Sequence, residues 1–143
     1  KIEKSVKNML KEEEKFGIKK FKTYQKFGEK VYEIRNNVLA NIKKLKENKK
    51  HIIGFGAPAK ATTALNFFGI SEEIDFIVED NKLKHNKFIP GVKIPIKNKS
   101  NIKSKKNALL ILAWNFYEHI KKNNADLSDY FVNIKDLESN NWK

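Results

Sequence analysis

Cysteine is absent from the 143-residue chain, which removes disulfide bridges, thiolate nucleophiles and thiolate metal ligands together. Histidine is scarce, and His51, His85 and His119 lie too far apart in sequence to form a spaced ligand motif, so no metal site is expected. No apolar run approaches the roughly 20 residues needed to cross a bilayer. The charged start also lacks the apolar stretch and small-residue cleavage site of a signal peptide. A soluble, cytoplasmic protein without a membrane partner is the expectation. Arginine is nearly missing: Arg35 stands alone among 30 basic residues. Proteins that read nucleic-acid sequence lean on bidentate arginine, whereas the lysines here are spread over every segment. The net charge of +13 therefore reads as a Lys- and Asn-rich background rather than a nucleic-acid interface. Such a field would still favour a phosphorylated small ligand.

What is present is enough to fold. Hydrophobic residues make up 40% and aromatics 11%, beyond the range of a disordered chain, and the length fits one domain with a core of its own. Ile2, Val6, Met9 and Leu10 follow helical spacing, and Gly17 is placed to end that helix. A longer stripe follows: Phe21, Tyr24, Phe27, Val31, Ile34, Val38, Ile42 and Leu45 recur every three or four residues. Only a long helix puts them on one face. That face suits a helix packed on the following domain, or bridging to another one, better than a coiled-coil seam, which calls for sustained aliphatic a and d residues. Lys49 and Lys50 are expected to close it, making residues 1–50 a helical linking segment and 51–143 a separate domain.

From His51 the pattern changes. His51–Phe55 reads as a buried strand, Ala57–Phe68 as a helix ending at Gly69, and Ile74–Val78 as a second strand entered through Ser71-Glu72-Glu73. Asp80–Pro90 is polar and turn-rich. Val92–Ile96 alternates like a strand, but Pro95 confines it to a sheet edge. Ala108–Ala113 is a continuous apolar run of the kind buried on both faces of a parallel sheet, Trp114–Lys122 has helical spacing, and Tyr130–Ile134 is a final strand. The expected fold is α/β: a Rossmann-like, mostly parallel sheet flanked by helices and preceded by two N-terminal helices, one of them long.

The chemistry concentrates at the first strand-to-helix turn. Gly54 and Gly56, with Ala59 in the third small position, fit a G-x-G-x-x-G/A fingerprint. In such a turn Gly54 permits the bend, Gly56 lets backbone approach a ligand, and Ala59 lets the helix sit close to its strand. Free amides at the helix start would then face an anion, most obviously a diphosphate, with Lys60 adding a full charge. Tight packing alone also calls for small residues here. Glu79 and Asp80 follow the second strand where an acid contacts the ribose of NAD, which keeps an NAD-type dinucleotide module open, although Pro58 and Lys60 crowd the loop and no hydride-transfer site is evident.

Three blocks carry a resemblance. GFGAPAKATTALNFFGI (Gly54–Ile70), FIVEDNKLKHNKFIPGVKIPI (Phe76–Ile96) and LLILAWNF (Leu109–Phe116) resemble, in order and spacing, the C-terminal domain of SAM-dependent sugar C-methyltransferases. The two leading helices match the region that precedes those blocks, so the likeness spans nearly the whole chain. It implies an enzyme in three parts: a small zinc-binding part, a SAM-binding domain, and this domain helping to hold a nucleotide-linked keto-deoxysugar, with dTDP as the expected nucleotide. A base would remove the proton beside the keto group and the enolate would take the methyl. The family's base residues lie upstream, so no catalytic residue is assigned here, and SAM is expected on a domain upstream of Lys1, an initial residue that itself suggests a piece of a longer protein. On this resemblance Gly54, Gly56, Ala57, Pro58 and Lys60 line the sugar-nucleotide cleft, Asn81, Lys84, Pro90 and Gly91 form an adjacent wall, and Trp114 with Asn115 closes it. For Trp114 core packing is the alternative. The chain departs from the family pattern at Ala61-Thr62, where Gly-Asn is usual, at the acid pair Glu79-Asp80, and at Asn86, which replaces a common Gly. A protein-interaction module built on the long helix is the remaining alternative; oligomeric state is not legible.

Overall fold

The computed structural model describes residues 3–48 and 51–142, so the helix-closing role expected of Lys49 and Lys50, like the contribution of Ile2, lies outside the described residues. The chain divides into two compact units, Lys1–Ile34 and Arg35–Lys143. The first holds α1 (Lys4–Phe16) and the start of α2 (Phe21–Glu47). Helix α1 ends at Gly17, whose N–H reaches the carbonyls of Glu13 and Glu14, and Thr23 Oγ1 donates to Gly17 O at 2.8 Å. None of the residues of α1 is buried.

The second unit contains β1 (Ile52–Phe55), α3 (Ala59–Phe68), β2 (Ile74–Val78), β3 (Ile96–Lys97), β4 (Ala108–Ile111), α4 (Tyr117–Asn123) and β5 (Tyr130–Asn133). The strands form one sheet in the order β3-β2-β1-β4-β5, every neighbouring pair parallel. This is the Rossmann-like α/β arrangement, and it follows from the sequence: the apolar runs of β1 and β4 are buried at every position, which only central strands of a covered parallel sheet allow. Side chains alternate across each strand. Ile53, Phe55, Val78, Leu109 and Ile111 therefore share one face, where they meet Ile120 of α4 and the partly buried Tyr117, Leu127 and Phe131. Burying side chains of this size contributes about 1.5–3 kcal/mol each.

The C-terminal half of α2 belongs to this unit. Val38, Ile42 and Leu45 are buried, Arg35 Nε donates to Phe67 O at 2.8 Å, and Asn41 Nδ2 donates to Leu137 O and Ser139 O at 2.9 and 2.8 Å. Helix α3 starts after Pro58, two residues later than the spacing suggests, and ends at Gly69 as expected.

One boundary differs more. The edge strand is only Ile96–Lys97, not Val92–Ile96. Pro95 has no N–H to give the ladder, so the segment before it folds back on itself: Phe88 and Pro95 form an antiparallel bridge and Ile89 N–H bonds Ile94 O. Pro95 does join the sheet through its carbonyl, which accepts from Ile77 N–H at 2.9 Å.

Candidate functional site

In an open α/β sheet, ligands enter at the carboxyl ends of the strands where the strand order reverses. Here that point lies between β1 and β4, and it is hollow. A cleft of about 350 Å³ is lined by Phe55, Gly56, Pro58, Glu79, Asp80, Lys84, Ala113, Phe116, His119 and Ile120. A second hollow of about 440 Å³ shares Phe116 and His119 and adds Trp114, Asn115, Tyr117, Glu118 and Asn133.

The two glycines of the first turn have different tasks. Gly54 lies inside β1 without a left-handed backbone, and a Cβ there would stand 2.6 Å from Ile77 Cγ1 and 3.0 Å from Leu112 Cδ1. Its missing side chain accommodates its neighbours; the bend assigned to it from sequence is made by Gly56, whose φ is +87° and whose Cβ would crowd Ala113.

The amides of this turn are largely spoken for, which corrects the expectation that they lie bare. Gly56 N–H donates to Val78 O at 2.8 Å, and Ala57 N–H donates to Glu79 Oε2 at 2.9 Å. Pro58 has none to offer. Only the amides of Ala59 and Lys60 in the first turn of α3 lack an intramolecular acceptor among the described residues. Glu79 is held further by Asn81 N–H at 3.1 Å on Oε1 and by Lys84 Nζ at 3.3 Å on Oε2, while Lys84 Nζ also donates to Ala57 O at 2.9 Å. Its side chain is 14% exposed. Burial alone would raise the Glu79 carboxyl, but the Ala57 and Asn81 amides and the Lys84 charge outweigh it and hold the group below the ordinary glutamate value. Opposite, burial and then the charges of Asp136 and Glu118 push the Tyr117 phenol up, so it remains a neutral donor, 3.4 Å from Phe131 O.

The residues expected to form the site are partly brought together. Gly56, Pro58 and Lys84 line the cleft, and Ala57 is buried behind it. Lys60 reaches from α3 to place Nζ 4.0 Å from the centre of the Trp114 ring, a cation–π contact on a half-buried indole, and Asn115 stands beside it in the second hollow. Asn81 caps the short 3-10 turn Lys82–Lys84, its side chain accepting from Leu83 N–H at 3.0 Å. Pro90 and Gly91 are not among the cleft-lining residues: Asn66 of α3 donates to Pro90 O at 2.9 Å and would collide with any side chain at 91. Asn86 has φ 61°, a conformation asparagine tolerates better than other side chains.

Sequence reasoning missed Phe116, His119 and Ile120. Their i, i+3, i+4 spacing was a usable signal, since it puts them on one side of a helical segment at the end of β4. Among the described residues no group of three or more His, Asp or Glu side chains is arranged to hold a metal, and no helix is long and apolar enough to cross a membrane.

A family model described as "C-methyltransferase C-terminal domain" matches residues 1–132. The chain is also similar to C-methyltransferase NovU of Streptomyces niveus, 29% identical over 124 residues, which covers 85% of this chain and 30% of that protein. The chain thus spans about a third of the length of the curated relative it matches.

Proposed function

The chain belongs to the family of C-methyltransferase C-terminal domains, and from that premise we propose that it is the substrate-side domain of a SAM-dependent methyltransferase acting on a nucleotide-linked, dTDP-type keto-deoxysugar. SAM would supply the methyl group from a domain upstream in the same polypeptide. This domain would bind and orient the sugar nucleotide and keep water from its face. The observation that carries the reading is the cleft at the β1–β4 reversal, walled by Gly56, Pro58, Lys84 and Phe116 and flanked by the Lys60–Trp114 pair. Phe116, 63% exposed, offers an apolar platform for a base or sugar face. Lys60 and the unpaired amides of Ala59 and Lys60 offer positive potential for phosphate. The exposed apolar side chains Phe21, Tyr24 and Phe27 would face the upstream domain. The Glu79–Ala57 bond speaks against the NAD-type reading, because a ribose-binding acid would have to leave a backbone amide to act.

Calorimetric titration of the chain with dTDP, a dTDP-linked deoxysugar, NAD and SAM tests the proposal. Weak, saturable binding of the sugar nucleotide is expected, lost on Phe116→Ala or Trp114→Ala, with no saturable response to NAD or SAM. Clear NAD binding without any response to sugar nucleotides would replace this reading with a dinucleotide-binding module.

A further inference from the structure

We infer that Glu79 is an internal counter-anion of the glycine turn, a specificity-determining residue that bars a diphosphate from the Gly56–Ala57 amides and leaves that part of the cleft to an uncharged portion of the ligand. The inference deepens the proposed sugar-nucleotide site and rests on it for the identity of the ligand. In dinucleotide-binding folds the pyrophosphate takes the amides that open the helix after β1. Here the helix-opening amides of Ala59 and Lys60 stay open, but in the glycine turn just before them a carboxylate from the end of β2 already stands 2.9 Å from Ala57 N, with its other oxygen on Asn81 N–H. Lys84 is committed as well, bridging the same carboxylate and Ala57 O, and the remaining turn amide, Gly56 N–H, is consumed by Val78 O. Two anions cannot share one partly buried amide without strong repulsion. A diphosphate reaching this cleft must lie on the α3 side of Pro58, so the ligand enters with a neutral, hydroxyl-bearing part toward Glu79 and Phe116.

The probe is inorganic pyrophosphate, titrated into the 143-residue chain and into Glu79→Ala while the backbone amide resonances are followed. In the wild type the Gly56 and Ala57 resonances are expected to stay unmoved at saturating pyrophosphate. Removing the carboxylate frees the Ala57 amide and Lys84, and affinity for pyrophosphate is expected to rise about tenfold with the Ala57 resonance now shifting. A saturable shift of Ala57 in the wild type overturns the inference, and so does an unchanged affinity in a folded Glu79→Ala variant. If that variant does not fold, the wild-type titration decides alone. A dTDP-sugar arm separates the two readings. A wild-type protein that ignores the sugar nucleotide while Glu79→Ala gains pyrophosphate affinity sinks the substrate assignment and leaves Glu79 its role. Sugar-nucleotide binding with no such gain does the reverse.

Discussion

The two halves of α2 carry one apolar spacing and meet opposite surroundings. Val38, Ile42 and Leu45 are exposed by no more than 1%, whereas Phe21, Tyr24 and Phe27 are 82, 58 and 69% exposed. A helical stripe therefore reports a face in need of cover, not the identity of what covers it. In the second half the α/β unit supplies that cover and adds a polar lock, since Asn41 satisfies two carbonyls of the chain's C-terminal turn. In the first half the aromatics stand in the solvent of this chain, which is why the proposed upstream domain matters to the reading.

The sharpest way to break that comparison is to truncate both halves. Ile42→Ala is expected to lower unfolding free energy by about 2–5 kcal/mol, and Phe27→Ala by less than about 0.5 kcal/mol, both measured by urea denaturation. Equal losses would mean that Phe27 is covered in solution, by a second copy or by another part of the chain. Next in size, Asn41→Ala leaves the Leu137 carbonyl without its side-chain donor and that of Ser139 with only the Trp142 N–H at 3.4 Å, and is expected to cost about 1–3 kcal/mol. A near-neutral result there would show water taking over the role of the amide.

The same distinction explains what the sequence disclosed. Strand positions were legible because runs such as Ala108–Ile111 have no other stable place than a sheet covered on both sides. The position of the cleft was legible too, because small residues between an apolar strand and a helix mark a turn at the carboxyl ends of the strands, and Gly56 and Pro58 of that turn line it. The occupant of that turn was not. Glu79 meets Ala57 across 22 residues of chain, a contact fixed by the register of β1 on β2, and no local pattern encodes it. Pro90 and Gly91 read as cleft wall for the same reason, their docking on Asn66 being tertiary. At Gly54 the residue type was informative and the role was not, since close packing and a tight bend both call for glycine.

Glu79 and Asp80 repeat the contrast of α2 on two adjacent acids, one enclosed and one exposed. Glu79 is gripped by two amides and a lysine, while Asp80, its side chain 68% exposed, has Lys99 Nζ at 2.7 Å. Because the folded state holds the Glu79 carboxyl below its unfolded value, the stability it contributes is complete above the ordinary carboxylate range and is lost as pH falls through the folded value. Glu79→Gln is therefore expected to lower stability by about 1–2 kcal/mol at neutral pH, and to flatten the decline that the wild type shows as pH falls below about 4. Thermal melts from pH 7 to pH 3 measure both, and a variant whose acid limb stays as steep as the wild type's would show that the carboxylate is not held as described. Asp80→Asn removes a solvent-screened pair and is expected to change stability by less than about 1 kcal/mol. A larger loss would place Asp80 with the enclosed groups, its bond to Lys99 helping to fix the lysine that also reaches Asn124 Oδ1 and the face of Phe55 at the cleft floor.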